Sequence, residues 1–217
     1  MIILGLTGSI GMGKTTAAAM LHAMGLRTCD SDAIVHKLLG RGGGAVKAIG
    51  AEFGNVVRDG SVDRAALGQA VFSDPEALKR LEAILHPMVL NTQANFLKEA
   101  ALNNVPIVVL DVPLLFEVGT DKRCDAVIVV TAPRFIQEQR VLRRPGMTPE
   151  RLRATLARQM PDVEKRRRAD FVVHTGLGKW HSYGRLREIV TQMRGRRGTK
   201  WPPAGPSSWG GYARSRS

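Results

Sequence analysis

The stretch Met1–Met24, MIILGLTGSIGMGKTTAAAMLHAM, decides the fold. Ile2–Leu6 is a short apolar run with the length and branching of a buried strand. A segment rich in Ala, Met and Leu with helical spacing begins after Lys14. Between the two lies GSIGMGKT, residues 8–15, which matches the phosphate-binding loop in its strand–loop–helix setting. The pattern predicts that the chain binds a nucleoside triphosphate. A Gly-rich turn before an ordinary helix is the competing interpretation.

Each part of this loop has an expected task. The glycines let the backbone curl so that several N–H groups point into one anion-sized hollow at a helix N-terminus. Lys14 is expected to reach the β- and γ-phosphates, and the Thr15 hydroxyl is expected to ligate Mg²⁺. The residues predicted to surround the triphosphate are Gly11, Met12, Gly13, Lys14, Thr15 and Thr16.

Further apolar runs predict the rest of a sheet. The five candidate strands are Ile2–Leu6, Arg27–Asp30, Pro106–Leu110, Ala126–Val130 and Phe171–Val173. Helical patterns separate them, as a parallel sheet covered on both faces requires. We therefore predict an α/β protein of the P-loop NTPase fold, with a five-stranded parallel sheet flanked by helices. Residues 1–194 are expected to form one such domain, with a helical acceptor-binding insertion at about 40–104 and a basic helical lid at about 134–168.

The insertion carries local signals of its own. Ala45–Asn104 is predicted to be nearly all helical, with a turn at Asp59-Gly60. Ser73 is expected to cap the helix that follows it, and a kink or break is expected at Pro87. His86 is either a buried packing histidine or part of an acceptor pocket, and we favour packing.

The charge of the chain is locally concentrated. Its formal net charge is +13, and this excess lies in two segments. Arg134–Arg168 holds eleven basic and four acidic residues, and Arg194–Ser217 holds six basic residues and no acidic ones. Solvated helix faces are the expected fate of Arg151, Arg153 and Lys165–Arg168. Residues 195–217 lack any apolar period, so we expect a disordered or loosely attached tail whose removal leaves folding and activity nearly intact.

Composition also bounds the cellular setting. Cys29 and Cys124 lie far apart and in no metal or redox spacing, which favours a reduced cytosolic compartment. The longest apolar stretches are too short to span a bilayer. The N-terminus has no basic region or cleavage site and is already occupied by the phosphate loop, so we expect a cytoplasmic protein.

Acidic and basic side chains near the predicted site suggest the chemistry. Asp32 follows the second strand, at the edge where an open parallel sheet binds ligands, and could orient the proton of an acceptor hydroxyl. A helix N-cap is an equally open interpretation of Asp32. Asp111 ends the third strand and could orient Mg²⁺-bound water or the acceptor, or cap a turn. Arg140 and Arg143 share a helix face, and planar guanidinium groups suit phosphoryl oxygens.

The chain as far as about Arg194 resembles the dephospho-CoA kinase family. The matching segments are LTGSIGMGKTT, DSDAIV, DGSVDRAAL with the following VF, LEAILHPMV, DVPLLFE, Gln137-x-x-Arg140-x-x-Arg143, Arg158-Gln159 and ADFVV. The order of Asp-x-Asp, His-Pro-x-Val and Asp-x-Pro-Leu-Leu-Phe-Glu is the most specific part. The family transfers the γ-phosphate of ATP to the ribose 3′-hydroxyl of dephospho-CoA, the last step of coenzyme A synthesis.

The resemblance implies roles for individual residues. It implies ATP and Mg²⁺ as cofactors, dephospho-CoA as the partner, and catalysis by Asp32, Lys14 and Arg140. The implied ATP contacts include Arg140 and Arg143, and the implied acceptor contacts are Asp32, Asp111, His86 and Arg64. Asp30 is expected to be a structural residue or a partner of metal-bound water. Two positions depart from the family pattern: His36 replaces a common Arg, and Thr175 replaces a common Asn.

Two other functions stay open at this stage. One is another small P-loop kinase, acting on a nucleoside monophosphate or a small alcohol. The other is a nucleic-acid-binding ATPase, which the two basic segments suggest. An aromatic content of only 5% and a basic cluster placed like a kinase lid count against nucleic acid. The oligomeric state is open, with a monomer favoured.

Overall fold

A computed structural model describes residues 1–72 and 74–203, in two compact units. Residues 1–29 and 99–203 form the first unit, and residues 30–98 form the second. In the described part of the chain the strands are β1 (Ile2–Thr7), β2 (Arg27–Asp30), β3 (Val57–Arg58), β4 (Ser61–Val62), β5 (Ile107–Asp111), β6 (Ala126–Thr131) and β7 (Phe171–His174). The α-helices are α1 (Lys14–Ala23), α2 (Ser31–Leu39), α3 (Val46–Phe53), α4 (Arg64–Phe72), α5 (Pro75–Leu102), α6 (Arg134–Leu142), α7 (Pro149–Ala157), α8 (Asp162–Arg168) and α9 (Lys179–Arg194).

Five strands form the predicted sheet, in the order β2-β5-β1-β6-β7. β1 pairs in parallel with β5 and β6, and β6 pairs in parallel with β7. All residues of β1, β5 and β6 are buried, which explains their continuous apolar runs. The predicted α/β fold and its five strands are confirmed. The carboxyl ends of β1 and β5 are neighbours, because Leu6 pairs with Asp111.

Helices α1 and α9 cover the sheet with apolar faces. Ala17 and Leu21 of α1 are buried in the main core. The buried apolar residues of α9 are Leu186, Ile189, Val190 and Met193, a spacing that places them on one helix face. In the described residues no helix is both long and apolar enough to cross a membrane.

The second unit has its own small core, formed by Leu39, Ala45, Ile49, Val56, Val62 and Leu67. Its predicted turn at Asp59-Gly60 is confirmed, and both residues have positive φ, 50° and 74°, as a tight hairpin turn requires. The nearly all-helical prediction for this segment is wrong at this turn, because β3 and β4 flank it as an antiparallel pair. Strands of two residues are too short to leave an alternating pattern in the sequence.

Helix α5 differs from the prediction in its N-cap residue and in its continuity at Pro87. Ser73 lies outside the described residues, and the Asp74 carboxylate accepts the N–H groups of Glu76 and Ala77 at 2.9 and 3.1 Å. The cap of the described helix is therefore Asp74. Of the kink or break expected at Pro87, the break does not occur, since α5 continues through this residue. The kink stays a prediction. Apolar residues on both sides pack against the core of the unit and hold the helix together: Leu81, Ile84, Leu85 and Met88.

The first nine residues of the expected tail are bound to the first unit. One oxygen of Asp125 accepts the Thr199 N–H at 2.6 Å, the Thr199 hydroxyl at 3.1 Å and the Lys200 N–H at 3.1 Å. The other oxygen accepts the Ile3 N–H at 2.8 Å. A Cβ at Gly198 would overlap the carbonyl oxygen of Met1. A loose tail is therefore the wrong description of residues 195–203, while residues 204–217 lie outside the described residues.

Two truncations test this attachment. A chain ending at Arg194 is expected to lose about 1–3 kcal/mol of unfolding free energy, because Asp125 loses three donors. A chain ending at Pro203 keeps these donors and serves as the matched control. Urea denaturation of both variants and the full chain measures the difference. Equal stability of the two truncated chains would show that the Asp125 contacts contribute nothing.

Candidate active site

The loop between β1 and α1 has a backbone that only glycine allows at two positions. Gly11 and Gly13 have φ of 78° and 89°, in the left-handed region. A Cβ at Gly11 would lie 2.5 Å from the Val141 side chain, and one at Gly13 would lie 3.0 Å from the Thr175 hydroxyl. The loop is therefore packed closely against the segments that carry Val141 and Thr175.

The amides at the start of α1 face the loop. The Ala17 N–H makes the first helical bond, to Gly13 O at 3.1 Å, and no side chain caps the helix. The preceding N–H groups, of Lys14, Thr15 and Thr16, have no intrahelical acceptor by helix geometry. Thr15 and Thr16 are exposed. The helix thus offers the amide donors that the sequence predicted.

Met12 contributes to the shape of the loop. Its N–H donates to Ser9 O at 3.1 Å, and its buried thioether sulfur accepts the Ala132 N–H at 3.1 Å. One of the N–H groups predicted to surround the triphosphate, that of Met12, is therefore already bonded to an acceptor within the loop.

Lys14 and Asp111, two residues singled out in the sequence, form an ion pair. The Lys14 ammonium lies 2.7 Å from the Asp111 carboxylate. The Asp111 side chain is only 3% exposed and that of Lys14 is 15% exposed. Asp111 reaches the loop because β5 lies beside β1 in the sheet. The pair fixes a cation at the entrance to α1, where the helix dipole already favours negative ligands.

Two glutamines hold the middle of the loop. The Ile10 N–H donates to the Gln159 side-chain oxygen at 3.1 Å, and the Gln137 side-chain nitrogen donates to Ile10 O at 2.8 Å. Gln137 belongs to α6 and Gln159 follows α7. The sequence reasoning assigned neither of them to the site, although both lie in segments that resemble the family.

Arg140 lies against the loop through Thr175. Its Nη1 donates to the Thr175 hydroxyl at 3.0 Å, and its Nη2 donates to Thr175 O at 2.9 Å. Nη1 also lies 3.4 Å from Gly11 O. Arg143, by contrast, follows the last residue of α6 and is exposed. The structure thus brings Arg140 to the loop but leaves Arg143 on the surface.

The base of the basic segment contains a buried ion pair. The Lys165 ammonium, fully buried, lies 2.8 Å from the Glu117 carboxylate, whose side chain is 18% exposed. The same carboxylate oxygen accepts the Met160 N–H at 2.9 Å. Burial raises the pKa of Glu117, but the hydrogen bonds from Lys165 and Met160 outweigh burial and hold that pKa below its ordinary value. The expected solvated face is therefore wrong for Lys165.

Lys165→Met is expected to lower the unfolding free energy by about 1–3 kcal/mol at pH 7, because Glu117 loses a partner for its charge. A lowered pKa stabilises the fold above the unfolded-state pKa, and this contribution disappears as pH falls through the folded-state value. The loss should therefore shrink in acid. Urea denaturation at neutral and acidic pH measures it, with the exposed Lys179→Met as control. A deficit independent of pH would assign the effect to packing.

The Asp-x-Asp segment lies at the start of α2, in the second unit. The Asp30 carboxylate accepts the N–H groups of Asp32 and Ala33 at 2.8 and 3.2 Å, so Asp30 is the N-cap of α2. The N-cap interpretation of Asp32 is therefore wrong, and the structural interpretation of Asp30 is confirmed. Asp32 lies in the first turn and is exposed. Between them Ser31 is buried, and its hydroxyl accepts a hydrogen bond from Gln93 at 3.0 Å.

Other predicted acceptor residues are also in the second unit. Arg64, the first residue of α4, lies 3.0 Å from the Nδ1 atom of His36. His36, expected to differ from the family pattern, therefore lies beside Arg64, a predicted acceptor-binding residue. His86 is exposed on α5, so the buried packing favoured for it is wrong. The long helix turns His86 outward while its apolar neighbours Leu85 and Met88 pack inward.

The side chains of Thr15 and Asp111 carry oxygen atoms of the kind that Mg²⁺ prefers as ligands. The described residues contain no group of three or more His, Cys, Asp or Glu side chains that could hold a metal ion. Mg²⁺ prefers oxygen and is commonly held by one or two protein groups together with substrate phosphates and water. Thr15, which is exposed, and Asp111, which approaches the loop through Lys14, provide hydroxyl and carboxylate oxygens of this kind.

Known proteins share this chain's sequence nearly end to end. A family model described as dephospho-CoA kinase matches residues 2–177. The dephospho-CoA kinase of Paramagnetospirillum magneticum is 58% identical over 206 residues, which cover 95% of each chain. That of Rhodospirillum rubrum is 53% identical over 195 residues, 89% of this chain and 92% of the relative.

Solved structures agree on the fold. The crystal structure of TT1252 from Thermus thermophilus has a TM-score of 0.77 at 37% identity, covering 88% of this chain and 96% of that one. A dephospho-CoA kinase from Campylobacter jejuni has a TM-score of 0.58 at 23% identity, with the same coverage. At that identity the second match supports the fold alone.

Proposed function

The chain belongs to the dephospho-CoA kinase family, and we propose how its residues transfer the γ-phosphate of ATP to the ribose 3′-hydroxyl of dephospho-CoA. The observation that carries the proposal is the Lys14–Asp111 ion pair beside a glycine loop whose following helix has no side-chain cap on its first amides. Phosphoryl transfer requires mainly positioning and neutralisation of charge, and these groups supply both.

The triphosphate is bound by the loop. The N–H groups of Gly13, Lys14, Thr15 and Thr16 donate to phosphate oxygens at the positive end of α1. The Lys14 ammonium, positioned by Asp111, stabilises the negative charge on the β- and γ-phosphates. Arg140 provides further guanidinium donors for the transferring group, while the ATP contact of the exposed Arg143 stays a prediction from the sequence. Arg140 already lies at the loop, so we assign it the direct catalytic role.

Thr15 and Asp111 are the residues that would hold Mg²⁺ with the ATP phosphates. When bound, the ion supplies Lewis-acid neutralisation of the phosphoryl oxygens. Asp111 meanwhile retains its own task of orienting the Lys14 ammonium.

Asp32 is the proposed general base. Its side chain is exposed, and the N-cap of α2 is Asp30. Helix capping therefore does not account for an acidic residue at position 32. Asp32 accepts the proton of the ribose 3′-hydroxyl as the oxygen attacks the γ-phosphate. Arg64 is proposed to bind the acceptor, with His36 holding its guanidinium and the exposed His86 as a further contact.

The test of the function is a direct assay. Purified protein is incubated with ATP, Mg²⁺ and dephospho-CoA, and coenzyme A is measured by liquid chromatography. Nucleoside monophosphates and small alcohols serve as competing acceptors. We expect coenzyme A as the main product, and a faster reaction with another acceptor would support a different small kinase.

A second assay addresses the surplus of positive charge. ATP turnover is measured with and without RNA or DNA at several salt concentrations. We expect no stimulation, because part of the basic segment pairs internally, as Lys165 does with Glu117 and Arg168 with Asp121. Salt-sensitive stimulation would instead support the nucleic-acid-binding ATPase. We also propose a cytoplasmic monomer, which size-exclusion chromatography and cell fractionation can check. In the described part of the chain Cys29 and Cys124 form no disulfide, as expected in a reducing compartment.

A further inference from the structure

We infer that Thr175 is a positioning residue for phosphoryl transfer, which sets the angle of the Arg140 guanidinium against the phosphate loop. The inference rests on the proposed function of the loop and of Arg140.

The Thr175 hydroxyl joins three segments of the first unit. It donates to Met12 O in the loop at 2.7 Å, with Thr131 O at the end of β6 more distant at 3.3 Å. It accepts from Nη1 of Arg140, on α6, at 3.0 Å. A hydroxyl has one proton to donate and lone pairs to accept, and Arg has only donors. The direction of each bond is therefore fixed: Thr175 donates to the loop and accepts from Arg140.

The guanidinium is held at two points on the same residue. Nη1 binds the Thr175 hydroxyl and Nη2 binds the Thr175 backbone oxygen at 2.9 Å. Two parallel bonds fix the orientation of a planar group, whereas one bond leaves it free to rotate. Removing only the hydroxyl leaves the Nη2 bond and the longer 3.4 Å contact of Nη1 with Gly11 O, so Arg140 should stay near the loop with its angle less well defined.

The same side chain also contacts the loop backbone at Gly13. A Cβ at Gly13 would lie 3.0 Å from the Thr175 hydroxyl oxygen and 3.2 Å from its Cβ. Gly13 directly precedes Lys14 and accepts the first hydrogen bond of α1. Thr175 thus packs closely beside the backbone at the point where the amide donors begin.

Three variants separate these contributions. Thr175→Val keeps the shape and removes the hydroxyl, Thr175→Ser keeps the hydroxyl, and Thr191→Val removes a hydroxyl that binds Arg187 O on the exposed face of α9. We expect Thr175→Val to lower kcat with dephospho-CoA about 10- to 10²-fold, the usual cost of a misplaced catalytic group, with a smaller change in the KM for ATP. Thr175→Ser and Thr191→Val should stay within about twofold of the parent chain.

A double-mutant cycle with Arg140→Ala decides whether Thr175 acts through Arg140. We expect Thr175→Val to change kcat less than twofold in the Arg140→Ala background, because the group it orients is gone. The same 10- to 10²-fold loss in both backgrounds would overturn the inference, as would a Thr175→Val variant with normal kcat. If Thr175→Val does not fold, a Thr175→Ser variant with lost kcat and unchanged Tm would also overturn it.

The failure of the proposed function would look different. In that case the parent chain would form no coenzyme A from dephospho-CoA. The cycle would then be run on the acceptor that the chain does phosphorylate, since the contacts of Thr175 concern the loop and Arg140 and not the acceptor.

Discussion

Asp32→Asn is expected to lower kcat about 10²- to 10⁴-fold while leaving thermal stability nearly unchanged, because an amide cannot take the acceptor's proton. The structure sharpens this expectation. The helix cap is Asp30, which accepts the N–H groups of Asp32 and Ala33, so the Asp32 carboxylate has no capping task to lose. The barrier difference, about 3–5 kcal/mol, is well outside assay error.

Asp30→Asn is the matched control for Asp32→Asn. It removes a carboxylate from the same turn but keeps a good N-cap, so most of the turnover should remain. Steady-state kinetics with dephospho-CoA and a thermal melt are measured on both variants, with ATP binding as a check on the loop. Should Asp32→Asn retain most of its turnover, Asp32 leaves the mechanism and Asp111 becomes the next candidate.

Lys14→Ala is expected to lower kcat about 10³-fold, because the cation at the β- and γ-phosphates is lost. The structure adds a second effect. Asp111 is 3% exposed and loses its ion-pair partner, so the unfolding free energy should fall by about 1–3 kcal/mol.

A double variant separates the two effects of Lys14. Lys14→Met combined with Asp111→Asn removes both charges, so stability should recover while activity stays low. Kinetics and urea denaturation on the single and double variants give the comparison. Near-normal turnover in a folded Lys14→Ala variant would contradict the role of the loop as the ATP site.

The sheet could be predicted closely from the sequence because its signals are local. Each central strand is a continuous apolar run, since both faces are buried, and the predicted ends agree with β1, β5 and β6 to within one residue. The glycine loop was predictable for the same reason, because its pattern and its flanking elements are contiguous.

Contacts between distant residues could not be predicted in this way. Lys165 is the only lysine in the basic run Lys165–Arg168. It can be buried because its ammonium forms an ion pair with Glu117, which is distant in the sequence. Asp125 binds Thr199 and Lys200 in a segment with no apolar period. In both cases the acidic residue and its partner are distant in the sequence and meet only in the folded chain. The residues around the partner give no sign that it will be bound there.

The sequence left open whether Asp32 is an N-cap, and the structure was needed to exclude this for a different reason. Both carboxylates suit an N-cap, and the helix start that would make Asp32 the cap lies only two residues from the observed one. The role of Thr175 was missed because its signal in the sequence is only a departure from the family pattern. Its contacts with Met12 and Arg140 exist only in three dimensions.

The central position of β1 in the sheet has a consequence for how the chain folds during synthesis. In β1, Ile2 pairs with Ile107 and Leu4 pairs with Ala126, and Asp125 joins Ile3 to Thr199. Contacts this distant along the chain make closure slow and late. A nascent chain therefore carries its complete phosphate-loop sequence long before the strand that supports it is paired. Nucleotide binding should therefore indicate that β1 is paired, and ATP can stabilise only chains in which β5 and β6 have already joined it.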